Sequence, residues 1–257
     1  MNYQNIISEN KEGVCYLTIN RPKQLNALNL ETISELSNAI MKADGDRSVR
    51  CIILTGSEKK AFVAGADIKE FASFDVAAGE ELARRGQETL FDVLENIGTP
   101  SIAAINGFAL GGGLELAMAT HIRIAADNAK MGLPEVSLGV IPGYGGTQRL
   151  ANLVGKGKAM EMIATAGMLS ANEAKDCGLV NYVCPQEELI FMSEKIAEKI
   201  KRNSPMAIAR AIKSVNAGFI DGINGFEVEK KEFGNCFATL EFVEGTTAFM
   251  QKRKPNF

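Results

Sequence analysis

The chain has 257 residues, of which 46% are hydrophobic and 23% are charged, a composition typical of a globular protein with a sizeable core. The formal net charge of −3 argues against non-specific binding to nucleic acid or to an anionic membrane surface. The five cysteines are odd in number and none has CxxC spacing, which argues against a disulfide framework or a thiolate zinc site and favours a reducing, cytoplasmic compartment.

No segment of the sequence has the pattern of a signal peptide or a membrane span. Residues 1–13 are polar, and the most apolar stretch, residues 100–120, is interrupted by Asn106, four glycines and Glu115. We therefore expect no membrane partner.

Predicted strands and helices alternate through the first part of the chain. In chain order we predict a strand at 14–19 with a short partner strand near 6–7, a helix at 30–43 capped by Asn29, a strand at 50–55, a helix at 78–96, a strand at 101–105, a helix at 112–120 and short strands at 122–125 and 130–132. Because this alternation continues to about residue 184, the sequence predicts an α/β core.

The last part of the chain is predicted to be mostly helical. Ser170 and Glu173 have the spacing of a capping box, and helices are predicted at 187–202, from Ser204-Pro205 and over most of 222–252. We divide the chain into a core at residues 1–195 and a helical C-terminal region at residues 196–257. We expect the C-terminal region to form a lid or to take part in oligomerisation.

The glycine-rich loops do not fit the nucleotide-binding fingerprints. The cluster at 111–113 would need glycine at 116, where leucine stands, and the cluster at 143–145 would need glycine at 148, where glutamine stands. Lys158 is followed by alanine rather than by the metal-binding hydroxyl of a P-loop. These glycines need another explanation.

Residues 105–117 carry the strongest chemical signal. A strand ends, glycines remove side chains from a turn, and a helix begins at Gly112, so that its N–H lies at the positive end of the helix. Glu115 lies on the first turn of that helix, among apolar neighbours that disfavour a surface position. A second backbone donor is expected from the small-residue loop at 62–68, and Glu135 supplies a second carboxylate.

The single histidine, His121, follows a helix end and is interpreted as a structural residue. Nucleophilic catalysis by a serine–histidine or cysteine–histidine pair is therefore disfavoured.

Four motifs in register resemble the crotonase family. They are Ala64-Gly65-Ala66-Asp67-Ile68, Gly111-Gly112-Gly113-Leu114-Glu115, Pro134-Glu135 and the run from Ile141 to Leu150. The likeness extends from Asn20-Arg21-Pro22 to Pro255 and so covers essentially the whole chain. It implies a spiral of ββα repeats that carries an acyl-CoA site, followed by a helical C-terminal trimerisation region, with the chains assembled as a homohexamer (a dimer of trimers).

The resemblance also assigns roles to residues. It implies that the N–H groups of Ala66 and Gly112 form an oxyanion hole, and that Glu115 and Glu135 are the catalytic glutamates. Contacts to the substrate and its coenzyme A portion are expected from residues beside these motifs: Lys23, Leu25, Ala64, Asp67, Ile68, Lys69, Pro134 and Gly143.

The expected activity is the reversible addition of water to a short 2-trans-enoyl-CoA thioester, with Glu115 chiefly as base and Glu135 chiefly as acid. We expect no metal, and no cofactor apart from the coenzyme A of the substrate. Three alternatives stay open at this point: a 3,2-enoyl-CoA isomerase, a thioesterase or decarboxylase on the same fold, and a non-catalytic acyl-CoA binder.

Overall fold

The computed structural model describes residues 3–257; residues 1 and 2 of the predicted core lie outside the described residues. This part of the chain contains ten strands: β1 Ile6–Lys11, β2 Val14–Ile19, β3 Cys51–Gly56, β4 Ala61–Ala64, β5 Ser101–Ile105, β6 Phe108–Leu110, β7 Ile122–Ala126, β8 Lys130–Gly132, β9 Met168–Ser170 and β10 Tyr182–Cys184. They form a large sheet of order β1-β2-β3-β5-β7-β10 and a small sheet of order β4-β6-β8-β9.

Helices follow the strands and then dominate the C-terminal region. The α-helices of the described residues are α1 Leu30–Gly45, α2 Val76–Gly86, α3 Asp92–Asn96, α4 Gly112–Ala119, α5 Gly146–Val154, α6 Lys156–Thr165, α7 Ala171–Asp176, α8 Leu189–Ile200, α9 Pro205–Ala217, α10 Gly225–Cys236 and α11 Leu240–Met250. A π-helical segment, Gln87–Phe91, joins α2 to α3. Short 3₁₀ turns lie at Pro22–Gln24, Ile68–Glu70, Glu135–Leu138 and Gln186–Glu188.

The strands alternate between the two sheets in chain order. β3, β5 and β7 are parallel neighbours in the large sheet. Each is followed closely in the chain by β4, β6 and β8, respectively, which are parallel neighbours in the small sheet. A helix follows both the β3–β4 and the β5–β6 pairs. The predicted α/β fold of ββα repeats is confirmed.

The central strands of the large sheet, β3, β5 and β7, are buried on both faces, as their apolar sequences require. In β3, Ile52 and Leu54 pack into the main core, whereas Cys51 and Ile53 face the opposite way into a second cluster with Leu189 of α8. This alternation follows from the two-residue period of a strand. The predicted boundary at 195/196 falls within α8, and the division into two regions stays a prediction.

Three of the predicted helix starts are confirmed by their caps. The Asn29 side chain accepts a hydrogen bond from the Thr32 N–H, Ser170 and Glu173 form a reciprocal capping box, and Ser204 caps α9. The prediction that most of 222–252 is helical is also confirmed, with α10 and α11 as two separate helices.

The helix predicted at 78–96 is confirmed as a continuous helical stretch, but it is not regular throughout. The helix begins at Val76, where Asp75 accepts from the Ala78 N–H, and it widens into the π segment before α3. This irregular stretch packs against Tyr144: a Cβ atom at Gly86 would overlap the Tyr144 ring, which stacks on Phe91 of the π segment at a centroid distance of 4.8 Å. Such irregular turns recur at functional sites.

Among residues 3–257, no helix has both the length and the apolar character needed to cross a membrane.

Candidate active site

A cavity of about 550 Å³ opens between α2, the loop after β4, the start of α4 and the segment that follows β8. Much of its wall is apolar, with contributions from Phe71, Phe74, Leu82, Leu138, Ile141 and Tyr144. Eight predicted site residues line it: Ala64, Ala66, Ile68, Gly112, Glu115, Pro134, Glu135 and Gly143. A mostly apolar cavity with a few convergent polar groups is the usual form of a small-molecule site.

Two backbone N–H groups from different repeats meet at this cavity. β4 and β6 are parallel neighbours with Ala64 opposite Leu110, so the turns that follow them lie side by side. A Cβ atom built on Gly112 would lie only 3.6 Å from the Ala66 nitrogen. Neither the Ala66 nor the Gly112 N–H has an acceptor among the described residues. The two donors are therefore free to bind one oxygen atom.

The turn that carries Ala66 is held by the segment before α1. The Ala64 N–H donates to the Leu25 carbonyl at 3.1 Å, and Leu28 exchanges hydrogen bonds with Gly65 and Asp67 at 2.9 and 2.7 Å. Leu25 thus supports this turn through its backbone, without lining the cavity.

Three further predicted binding residues, Lys23, Asp67 and Lys69, also do not line the cavity. The Asp67 carboxylate pairs with Arg21 at 3.1 Å, and both lysines are exposed. Their assignment to coenzyme A, like that of Leu25, stays a prediction.

Glu115 is almost fully buried, with 1% of its surface exposed. Its Oε1 atom accepts hydrogen bonds from the N–H groups of Tyr144 and Gly146, each at 2.8 Å. Burial, reinforced by the negative charge of Glu135, raises the pKa of Glu115 to about 7, against the lowering effect of the two N–H donors. A carboxyl group with a pKa near neutrality can both take and release a proton.

Glu135 begins the 3₁₀ turn that follows Pro134, and it faces the same cavity. Its Oε2 atom is buried and has no hydrogen-bond partner among residues 3–257, while a Cβ atom on Gly111 would lie 2.8 Å from Oε1. Burial raises the pKa of this carboxyl group, which favours its protonated form. One carboxyl group is therefore held by two amides, and the other has a buried oxygen without a partner and lies beside Gly111.

The sequence did not reveal the residues that hold the loop at 143–146. The Arg149 guanidinium, with a side chain only 9% exposed, donates to the Tyr144 carbonyl at 2.9 Å and pairs with Asp92 and Glu95 at 2.7 Å each. Gln87 donates to the Gly143 carbonyl at 2.6 Å. Arg149 belongs to the motif at 141–150, but Gln87 stands in no motif, so nothing in the sequence marked it.

His121 has the structural role that was expected. It is largely buried, its Nδ1 accepts from the Ser101 N–H at 3.0 Å, and it does not line the cavity. Burial lowers its pKa, so the side chain is neutral near pH 7 rather than a cation at the helix end.

The fold and the site together define an α/β protein with a paired-amide, paired-carboxyl cavity suited to a thioester or a similar carbonyl substrate. Residues 9–257 match the family described as enoyl-CoA hydratase/isomerase, and the chain belongs to this family.

Relatives match this chain over nearly its full length. It is 46% identical to a protein named crotonyl-CoA hydratase from Syntrophomonas wolfei, over 100% of this chain and 99% of the relative. It is 46% identical to a short-chain-enoyl-CoA hydratase from Clostridium acetobutylicum, over 99% and 97%. The crystal structure of an enoyl-CoA hydratase from Bacillus anthracis, 40% identical, superposes with a TM-score of 0.92 over 99% of both chains.

Proposed function

We propose that this chain is an enoyl-CoA hydratase that adds water reversibly and in syn fashion to short 2-trans-enoyl-CoA thioesters, converting crotonyl-CoA to 3-hydroxybutyryl-CoA. The observation that carries the proposal is the meeting of two unpaired N–H groups and two carboxyl groups, one buried and one half-buried, at one cavity. The full-length relatives, named crotonyl-CoA hydratase and short-chain-enoyl-CoA hydratase, support the same reaction.

The N–H pair suits the charge that hydration creates. When water attacks C3 of the enoyl group, negative charge develops on the thioester oxygen, and this oxygen accepts hydrogen bonds from Ala66 and Gly112. In comparable sites the removal of one such donor costs about 2.7–4 kcal/mol of transition-state stabilisation. Because the donors are backbone groups on adjacent turns, they need no reorganisation during the reaction.

The two glutamates suit the two proton transfers. In its ionised form Glu115, which accepts hydrogen bonds from two N–H donors, takes a proton from the attacking water, and in its protonated form Glu135, whose pKa is raised by burial, delivers a proton to C2. Positioned acid and base groups contribute roughly 10²–10⁴-fold to such reactions. The pair interacts electrostatically, so its titration belongs to both groups together. The chemistry needs no metal, and no cofactor apart from the coenzyme A carried by the substrate.

The acyl group occupies the apolar part of the cavity, and the coenzyme extends outward past the turn at Ile68. Exposed Lys69 follows this turn, and exposed Lys23 precedes the segment that supports it, so both are available to the coenzyme phosphates.

Incubation of the purified protein with crotonyl-CoA tests the proposal. We expect reversible loss of the conjugated-thioester absorbance and formation of 3-hydroxybutyryl-CoA. Free thiol would indicate a thioesterase, turnover of a 3-enoyl-CoA alone would indicate an isomerase, and binding without a spectral change would indicate a binder. The presence of two carboxyl groups favours the hydratase, because an isomerase can work with one.

Two variants test whether both glutamates take part in the reaction. Glu115→Gln and Glu135→Gln should each lose most turnover and still bind acyl-CoA. Glu80→Gln is the matched control, because Glu80 is an exposed carboxylate on α2 that does not line the cavity. Full activity in either site variant would remove that residue from the mechanism.

We further propose a cytoplasmic homohexamer, built as a dimer of trimers. The C-terminal helices support it because they expose large apolar side chains that water disfavours: Phe226, Phe233, Leu240 and Phe249 are each at least 67% exposed. Five free cysteines suit a reducing compartment. Light scattering on the purified protein distinguishes monomer, trimer and hexamer by mass.

A further inference from the structure

Three consecutive peptide groups of the loop at 143–146 have their carbonyl oxygens held from the side away from Glu115. The Gly143 carbonyl accepts from Gln87 Nε2 at 2.6 Å, and the Tyr144 carbonyl accepts from Arg149 at 2.9 Å. The Gly145 carbonyl accepts two N–H groups from the first turn of α5. The loop is therefore fixed through its carbonyl groups.

The same peptide groups supply the donors to Glu115. In a trans peptide the C=O and the N–H point in opposite directions, and the described residues contain no cis peptide bond. The peptide group whose oxygen is bound by Gln87 is therefore the one whose N–H, that of Tyr144, donates to Glu115 Oε1 at 2.8 Å. Rotation of this peptide would break both hydrogen bonds together.

Gln87 lies at the start of the helix irregularity and contacts the loop from there. It is the first residue of the π segment, which also places Phe91 under the Tyr144 ring. The wider π turn thus presents one polar and one aromatic side chain to the same stretch of the loop.

We propose that Gln87 is a positioning residue, which fixes the peptide between Gly143 and Tyr144 so that its N–H holds the carboxylate of Glu115 in place for proton transfer. The proposal rests on the proposed function, in which Glu115 is the base. Gln87 does not touch the reacting atoms. It acts through one backbone hydrogen bond, and its side chain makes no other hydrogen bond among the described residues.

The charged groups around Glu115 give the expected direction of a pH effect. Glu135 raises the Glu115 pKa, Arg149 lowers it, and the Tyr144 hydroxyl, with its own pKa raised to about 12 by burial, stays neutral. Asp92 and Glu95 of α3 pair with Arg149 and face it rather than Glu115. With these groups unchanged, loss of the Tyr144 donor leaves the carboxylate less stabilised and raises its pKa.

The test compares Gln87→Met with wild-type protein. Methionine has nearly the same length but cannot donate a hydrogen bond. The matched control is Glu88→Met, the next residue of the π segment, which is exposed and pairs only with Arg84 on the surface. Two quantities are measured: the pH profile of kcat/KM with crotonyl-CoA, and the ionisation midpoint of Glu115 from its infrared carboxyl band, which Glu115→Gln identifies.

In Gln87→Met we expect kcat/KM to fall about tenfold. The acidic limb of its pH profile and the infrared midpoint of Glu115 should both move upward by about one pH unit, the size of one charge-assisted hydrogen bond. Glu88→Met should match the wild type. An unchanged Glu115 midpoint in Gln87→Met, whatever the activity, overturns the proposal, as does an equal shift in the control. If the methionine variant does not fold, Gln87→Asn, whose amide is one methylene shorter, is held to the same criterion.

The two proposals fail in different ways. Absence of crotonyl-CoA hydration by the wild type would contradict the proposed function, while the infrared midpoint would still report on Gln87. Hydration by the wild type with an unshifted midpoint in the variant would contradict only the role of Gln87.

Discussion

The substitution Gly112→Ala should separate stability from activity. Gly112 is the first residue of α4 and does not have a positive φ, so alanine fits its backbone. The added Cβ would lie 3.4 Å from the Tyr144 ring and 3.6 Å from the Ala66 nitrogen, which are ordinary van der Waals distances. It would stand beside the two N–H groups, in the space that the thioester oxygen is proposed to occupy.

The two expected effects have opposite signs. Replacing glycine by alanine at a compatible position raises the free energy of unfolding by about 0.4–1 kcal/mol, because the unfolded chain loses freedom. Blocking the oxygen from one of its two donors lowers kcat by about 10²–10³-fold. The variant should therefore unfold at the same or a slightly higher temperature and hydrate crotonyl-CoA at under one hundredth of the wild-type rate.

The neighbouring glycine gives the control for packing. At Gly113 a Cβ would overlap the Val63 carbonyl of β4, so Gly113→Ala should lower the free energy of unfolding by about 1–3 kcal/mol. Thermal unfolding and steady-state kinetics on both variants measure the contrast. A Gly112→Ala protein with half the wild-type kcat or more would refute the oxyanion assignment, and a strongly destabilised one would refute the packing argument.

Three other outcomes are expected. The folded-state pKa of Glu115, about 7, exceeds the ordinary value of 4.5, so its protonated form stabilises the fold fully below pH 4.5 and this contribution is lost as the pH rises through 7. Urea unfolding should find Glu115→Gln more stable than wild type by about 3 kcal/mol at pH 8. A difference in the free energy of unfolding that does not grow between pH 4.5 and 8 would contradict this. Pairing with Lys213 and Arg210 lowers the pKa of Glu232 to about 2, so the ionised carboxylate stabilises the fold. Wild type should lose this stabilisation as the pH falls from 4.5 towards 2, and thermal unfolding of Glu232→Gln should lack that part of the acid dependence. Arg149→Lys keeps the charge but not the several donors of a guanidinium, so it should reduce the free energy of unfolding by about 1–2 kcal/mol and slow hydration. Wild-type values for both quantities would show that the loop holding Glu115 does not depend on the guanidinium.

Much of the local structure was predictable because its determinants lie within a few residues. Asn29, Ser170 and Ser204 cap helices by accepting hydrogen bonds from N–H groups three residues away, so the sequence shows them directly. The buried strands were visible as short apolar runs. By contrast, β4 was predicted only as a small-residue loop, because its four residues become a strand by pairing with β6.

The sequence also predicted the chemical groups that are proposed to form the site. Glycines before a helix, with glutamate on its first turn, predicted an anion-binding N–H group beside a carboxyl group. The sequence could not give the pKa of Glu115, since desolvation depends on how completely the surrounding elements bury it. Nor could it mark Gln87, whose partner Gly143 is far away along the chain and is recognised by its backbone alone.

By itself, then, the sequence determined the α/β alternation, the helix starts and the two glutamates, because each depends on neighbouring residues. Only the tertiary structure decided that Ala66 and Gly112 share one space, that Glu115 is held by a loop from a later repeat, and that the helix before α3 widens around Gln87. These features depend on parallel strand pairing and on close packing between distant segments, and no local pattern encodes either.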